Sequence, residues 1–438
     1  MLFHERSDNG DSVYRSFSTI KQDNQGRAHH VALLFYAYDQ ESSSLNLWLI
    51  NKGGIHQSGS AKISAEELIK LERQYYLYLK QESGSIVHRG VFLEDQDEPE
   101  LLENADQILA EVLFPDSIAH ALALYNTLLV SPVLNIGTLP WYCLRPFGEG
   151  DQMVDHWNVQ ILESLNHMSI VARTDLYGSK QFKYKALGYQ PNYYDYDQHK
   201  YEVENPVIIG NPRYGSCDLP QLKGAEAEAA FIADKLSSEF LSGTSALLEN
   251  ITTEDMGELP FYPDKYRWSG QYFRGNLLYF ATHAISSSDH PMDSSFIYLS
   301  SEKKECNALS AKEILHIKKL PETLVIMSAC ESGKGRTVTG GVVGLARSFL
   351  INGTNDGYGN SFYGARNVVM SLWSIDDQST SDLMKLFLEE LQTPQSYWPV
   401  SPLRQAILRY RAMDPDPLHW GAFQSMGLAY PGTEIIRL

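Results

Sequence analysis

Cysteine is scarce: 438 residues contain four, Cys143, Cys217, Cys306 and Cys330, at spacings that fit neither a CxxC knuckle nor a dense disulfide framework. That pattern excludes a small disulfide-stapled scaffold and a cysteine-built zinc ribbon, and predicts four reduced thiols. Long apolar runs are absent as well. None reaches the length a bilayer requires, and the first residues, MLFHERSDNGDSVYRS, lack the apolar segment of a secretory signal. The expected setting is therefore cytoplasmic, with no membrane partner. Positive charge is in deficit, with 36 Lys and Arg against 54 Asp and Glu, a net charge of -18 and a pI near 5.1. Such a balance argues against a broad electrostatic footprint for phosphate backbones, so no nucleic acid is expected as a direct partner. There is no repeat of solenoid period and no long low-complexity tract.

What is present is a globular composition, 43% apolar, in a chain long enough for roughly two to three domains or one elaborated α/β unit. VALLFYAYD (31–39) and LNLWLIN (45–51), separated by QESSS, read as a hairpin of strand-forming segments. SAEELIKLERQYYLYLKQES (64–83) opens with Ser64 and Glu67 at capping-box spacing and carries apolar residues at helical intervals. A second helical stretch, 104–126, precedes TLLVSP. The first quarter thus reads β, β, α, α.

Beyond it the rhythm changes to apolar strands alternating with helices. NPVIIGNP, NLLYFATHA, SSFIYLS, TLVIMSAC and ARNVVMSLWSI are separated by AEAEAAFIADKLSS and GGVVGLARSFLIN, among others. Near-continuous apolar strands with crossover helices predict a mostly parallel sheet flanked by helices on both faces, an α/β fold with an N-terminal α+β region. The expected division is an N-terminal α+β part over 1–126, which either completes the main sheet or serves docking and regulation, and a main domain over 127–438. A tyrosine-rich stretch (189–204) and a glycine-rich one (352–364) read as exposed loops.

In an open parallel sheet, ligands bind beyond the carboxyl ends of the strands. NLLYFATHA leads to His283 and TLVIMSAC to Cys330, so two strand ends can bring an imidazole and a thiol into one cleft. A cysteine attacks as thiolate, and a neighbouring imidazole takes its proton and later returns one to a leaving amine. The ESGKG that follows supplies small backbone units whose amides can face an oxyanion. Against this stands the plainer reading, that His283 is hydrogen-bonded within the sheet and Cys330 is core. GKGRT (333–337) does not satisfy a phosphate loop, because Gly335 follows Lys334. His290, His316 and His419 lack a ligand set with Cys306 or nearby carboxylates, so neither metal nor cofactor is expected.

FATHA, LVIMSACESGKG, GGVVGLARSFLING, VVMSLWSIDDQST and LRQAILRY…HWGAFQSMG, in that order, resemble the CHAT domain, a branch of the caspase, separase and gingipain clan of cysteine peptidases. The histidine stands 47 residues before the cysteine, close to the spacing of about 50 in caspases. NPVIIGNP…LPQLKGAEAEAAFIADKL and LLVSPVLNIGTLPWYCLRPF resemble earlier parts of the same domain, so the likeness covers about 300 residues. The resemblance implies a caspase-like sheet and endopeptidase activity through a His283–Cys330 dyad. It further implies an oxyanion hole made by the backbone amides of Cys330 and of the residue after the histidine. Relatives carry glycine there; this chain carries Ala284, whose methyl limits how closely backbone can approach a substrate.

In relatives that cleave after basic residues, an acidic side chain near the strand following the cysteine strand lines the pocket. Asp376 and Asp377 stand at that place, with Trp373 as a candidate wall. A carboxylate in a partly dry slot favours arginine or lysine. The aspartates equally suit a helix cap, and Trp373 equally suits the core. The resemblance also implies a protein substrate, control by a protein activator or regulator, and a role in prokaryotic defence or programmed cell death. The 352–364 segment is a candidate control loop. The competing function is a catalytically silent scaffold that keeps the fold and assembles with a partner.

Overall fold

The computed structural model describes residues 21–22, 28–29, 31–51, 54–83, 104–146, 150–163, 203, 205–253, 272–275, 277–287, 289–300, 306–317, 323–329, 336–338, 341–351, 354–355, 361–362, 364–393 and 399–427. Eleven strands within these form one sheet. In chain order they are β1 Val31–Asp39, β2 Ser44–Asn51, β3 Gly54–Lys62, β4 Thr127–Ser131, β5 Asn158–Ile161, β6 Val207–Pro212, β7 Leu241–Gly243, β8 Leu277–Ala281, β9 Leu324–Ser328, β10 Asn367–Ser371 and β11 Phe423–Gly427. Across the sheet they run β3-β2-β1-β4-β5-β11-β10-β9-β8-β6-β7.

Seven of the ten pairings are parallel, which makes the mostly parallel α/β sheet the observed architecture. The antiparallel ones are the meander β1-β2-β3 and the central pair β11-β10. The molecule therefore consists of two parallel half-sheets of opposite direction, joined along β10 and β11. The central strands are mostly apolar because both faces are covered: β8, β9 and β10 are buried throughout.

The helices referred to below are α1 Ala65–Ser83, α2 Ala105–Leu113, α3 Asp116–Leu122, α4 Met153–His156, α5 Lys223–Lys235, α6 Ala311–His316, α7 Leu345–Leu350, α8 Asp377–Leu391 and α9 Val400–Arg411. The β6–α5–β7 crossover moves outward across the sheet, whereas β8–α6–β9 and β9–α7–β10 move inward. Right-handed connection of each puts α5 on one face and α6 and α7 on the other. Helix α8 packs on both α5 and α9, completing the first layer, and α6 packs on α7 in the second. One apolar core runs through both half-sheets, from Ala32 and Leu34 to Val368 and Met426.

Three local readings change. The first quarter contains a third strand, β3, whose sequence GIHQSGSAK is too polar to read as one; it forms because it is the sheet edge, where a strand needs backbone pairing more than apolar side chains. The 104–126 stretch is two helices, interrupted at Pro115, which ends α2 and precedes α3. SSFIYLS lies outside the main sheet: Phe296–Leu299 pairs instead with Ala284–Ile285 and Asn307–Ser310 in a small antiparallel sheet. The Ser64–Glu67 capping box forms as read, each side chain bonding the other's backbone N–H. Most of the tyrosine-rich 189–204 stretch lies outside the described residues. Of the glycine-rich 352–364 segment, Thr354–Asn355 and Ser361–Phe362 pair antiparallel, and most of the remainder also lies outside them.

The cysteines require a correction. Cys217 and Cys306 are joined by a disulfide, with Cα atoms 4.5 Å apart. The partners are 89 residues apart in sequence, and it is the fold that brings the loop after β6 against the chain entering Asn307–Ser310. Sequence spacing carries no trace of that closure. Cys143 is buried and outside the disulfide, and Cys330 lies outside the described residues.

Candidate active site

His283 follows β8 by two residues, and in the register of the adjacent parallel pair Ala281 stands opposite Ser328 at the end of β9. Cys330 is likewise two positions beyond Ser328 in sequence. The two strands thus end level with each other, with the histidine two residues past one end.

Several elements converge on the half-buried imidazole. Its Nε2–H donates to the carbonyl of Pro220 at 2.9 Å, and the Tyr214 ring meets it edge-on with centroids 4.9 Å apart. Tyr214 is itself buried and 3.3 Å, hydroxyl to hydroxyl, from Thr282, whose Oγ1 donates to the Tyr298 carbonyl. Both Tyr214 and Pro220 belong to the loop after β6, which carries one end of the disulfide. A carbonyl that accepts from Nε2–H selects the tautomer and raises the basicity of Nδ1.

The backbone next to the histidine is shaped by the small sheet. Tyr298 N donates to the His283 carbonyl, and Ala284 faces Ile297 in a non-hydrogen-bonded pair. That alternation turns the Ala284 N–H away from the Phe296–Leu299 strand.

A cleft opens beside these strand ends. Its lining includes Ala225 and Glu228 of α5, Thr282 beside His283, Ala329 beside position 330, Trp373 and Asp377. The space it leaves for solvent is about 20 Å³, the room of a single water. Asp377 Oδ2 accepts the backbone N–H of Gly224 at 2.5 Å. A Cβ on Gly224 would lie 2.3 Å from the Asp377 carboxyl carbon, so only glycine lets α5 approach this carboxylate. Asp376 is differently employed: it is the N-cap of α8 and accepts from Gln378 N and Ser379 N. Trp373 is buried, donates from Nε1 to the Leu418 carbonyl at 2.8 Å and meets Tyr76 edge-on, so it is a core residue with one surface on the cleft.

Glu228 is the residue that sequence reasoning passed over. It is 1% exposed, and its Oε1 accepts from the Tyr279 hydroxyl at 2.5 Å. Burial pushes its carboxyl up to about 7, and the nearby Asp377 charge adds to that; Ser328, Tyr279 and Lys385 pull the other way. Ser328 acts at the margin of hydrogen-bond geometry, without a strict bond of its own. In sequence Glu228 is one of two alternating charges in GAEAEAA, whose helical reading suggests exposure; only the close seat of α5 on β6 buries it. At Gly210 that seat is so tight that a Cβ would come within 2.4 Å of Ala229. Pro220 was equally hidden, because it contributes through its backbone carbonyl.

The CHAT domain model matches residues 103–428, about three quarters of the sequence. The chain belongs to the CHAT domain family. That places it among caspase-like cysteine peptidases by family. Among curated proteins none matches the chain. Of solved structures, separase in the Saccharomyces cerevisiae separase–securin complex is similar at 11% identity and a TM-score of 0.45, covering 96% of this chain and 31% of that one. This CHAT chain thus spans about a third of the separase chain. The Arg-specific cysteine proteinase gingipain R is similar at 11% identity and a TM-score of 0.41, covering 82% and 74%. A Porphyromonas gingivalis complex of gingipain pro- and mature domains is similar at 10% and 0.41, covering 84% and 76%. Among the described residues no helix is long and apolar enough to cross a membrane.

Proposed function

We propose that the chain is a cysteine endopeptidase in which Cys330 is the nucleophile and His283 the acid–base group. The observation that carries this reading is the mounting of His283: level with the end of β9, against Tyr214, with Nε2 committed to the Pro220 carbonyl.

In this reading Nδ1 takes the Cys330 proton, and the thiolate sulfur bonds to the scissile carbonyl carbon. The tetrahedral oxyanion collapses, the C–N bond breaks, and the imidazolium returns its proton to the departing amine. Water, deprotonated by His283, then hydrolyses the thioester and restores the thiol. The outward-turned Ala284 N–H and the Cys330 N–H are the proposed oxyanion donors. The cleft is the proposed pocket for a basic residue, with Asp377 as its carboxylate and Trp373 as a wall; Asp376 acts there through the cap that aims the first turn of α8. A protein partner is the proposed control, and prokaryotic defence or cell death the proposed setting, both on family grounds.

An active-site-directed electrophile followed by peptide mapping tests the dyad. Label on Cys330 that is lost in His283→Ala supports the peptidase; equal labelling of both proteins would favour the scaffold reading.

A further inference from the structure

A carboxyl group at the floor of a narrow cleft asks for a reason. Ionised and unmatched, such a group costs several kcal/mol. A chain that needed only packing at position 228 would use an apolar side chain. Glu228 is instead directed into the lining of the cleft that Asp377 borders, held there by Tyr279 from β8. Two carboxyls on two helices, α5 and α8, thus share one small space, and α5 is allowed this proximity by Gly224.

We propose that Glu228 is a specificity-determining residue, the floor carboxylate that together with Asp377 selects a guanidinium-bearing side chain at the scissile position. The inference deepens the peptidase reading and rests on it for the word scissile, though not for the binding itself. An incoming guanidinium carries donors in a planar fork and can satisfy two carboxylates together; an ammonium is a point charge with a shorter reach. The cleft is nearly closed when empty, so a side chain enters only if its contacts compensate for opening the walls. A neutral residue brings no charge to the two carboxyls, whereas a guanidinium can donate to both.

A titration signature follows. The groups facing Glu228 are Tyr279 from β8, Ser328 from β9, and Asp377 and Lys385 from α8. Because burial disfavours its charge and Asp377 adds to that, Glu228 holds its proton near neutral pH until a cation arrives, and a bound guanidinium expels that proton.

The test is calorimetric titration of the full chain with agmatine, a free guanidinium amine, and with a neutral urea analogue of it, in buffers of different ionisation enthalpy near pH 6.5. Wild type is expected to bind agmatine and release a large fraction of a proton, and to ignore the neutral analogue. Glu228→Gln, which still accepts from Tyr279, is expected to bind about tenfold more weakly or less and to release none. Asp377→Asn should weaken binding while proton release persists, and thermal unfolding of both variants verifies their folds. Absence of agmatine binding to wild type, or a Glu228→Gln that binds as tightly, would overturn the proposal. Labelling of Cys330 by electrophiles with arginyl and neutral leading residues separates the two readings. Agmatine binding without any labelling sinks the peptidase and leaves the pocket. Labelling by the neutral reagent without agmatine binding does the reverse.

Discussion

Glu228 has a consequence for stability as well as for selection. Its carboxyl titrates at about 7 in the folded chain against an ordinary 4.5, so between those values the native state holds more protons than the unfolded one. Stability therefore falls as pH rises through that window. Glu228→Gln removes the slope and should be the more stable protein above pH 7, by on the order of 2 to 3 kcal/mol. Urea unfolding at pH 5 and pH 8 measures this; curves that stay parallel for the two proteins would show that burial does not hold the proton. Gly224 offers a second probe, because its added methyl would press on the Asp377 carboxyl. Gly224→Ala should reduce capture of a basic residue by about tenfold at little cost in folding, since alanine favours a helix. A comparison of electrophiles with arginyl and neutral leading residues reads that out.

At the scale of elements, the loop after β6 acts as a bracket for the histidine. It supplies Tyr214 to one side of the ring and the Pro220 carbonyl to Nε2, and Cys217 ties it to Cys306. Tyr214→Ala should lower the labelling rate of Cys330 by about ten- to a hundredfold while the chain stays folded, because a misplaced general base forfeits orientation. Circular dichroism with the labelling kinetics tests it; an unchanged rate would mean that the Pro220 carbonyl suffices alone. This bracket was invisible in the sequence, since a backbone carbonyl and an edge-on ring have no motif. Strands β8, β9 and β10 were legible because their apolar residues run almost without a break, and α1 because its cap and period agree. Strand β3 was not, because an edge strand is held by backbone bonds that composition does not record. The position of His283 just past a strand end could be read from the apolar run before it, whereas the burial of Glu228 could not, since it depends on how α5 lies on β6.

At the scale of the molecule, the half-sheet that contains β5 and β11 is covered by α9, and α9 is tied to α4. Arg411 of α9 forks onto the Asp155 carboxylate of α4 and also reaches Gln152, while Arg404 donates to the Val154 and Asp155 carbonyls. Partial burial works against the Asp155 charge, but Arg411 and the Gln152 N–H prevail and hold its carboxyl below the usual range. Stability from this tie is present above the unfolded carboxyl value and lost as pH falls through the lower folded one. Arg411→Met should cost about 1 to 3 kcal/mol at pH 7, and the difference should shrink at acid pH. Denaturant titrations at pH 7 and pH 3 check this, and an equal deficit at both would mean that packing on Trp420, not charge, is what Arg411 contributes.

The Cys217–Cys306 closure also changes how any nick in this chain would look. A peptide bond broken between those positions, including one the chain cut in itself, leaves two pieces fastened together. On a denaturing gel without thiol they would run as a single band close to the intact mass, and only a reducing lane would separate them.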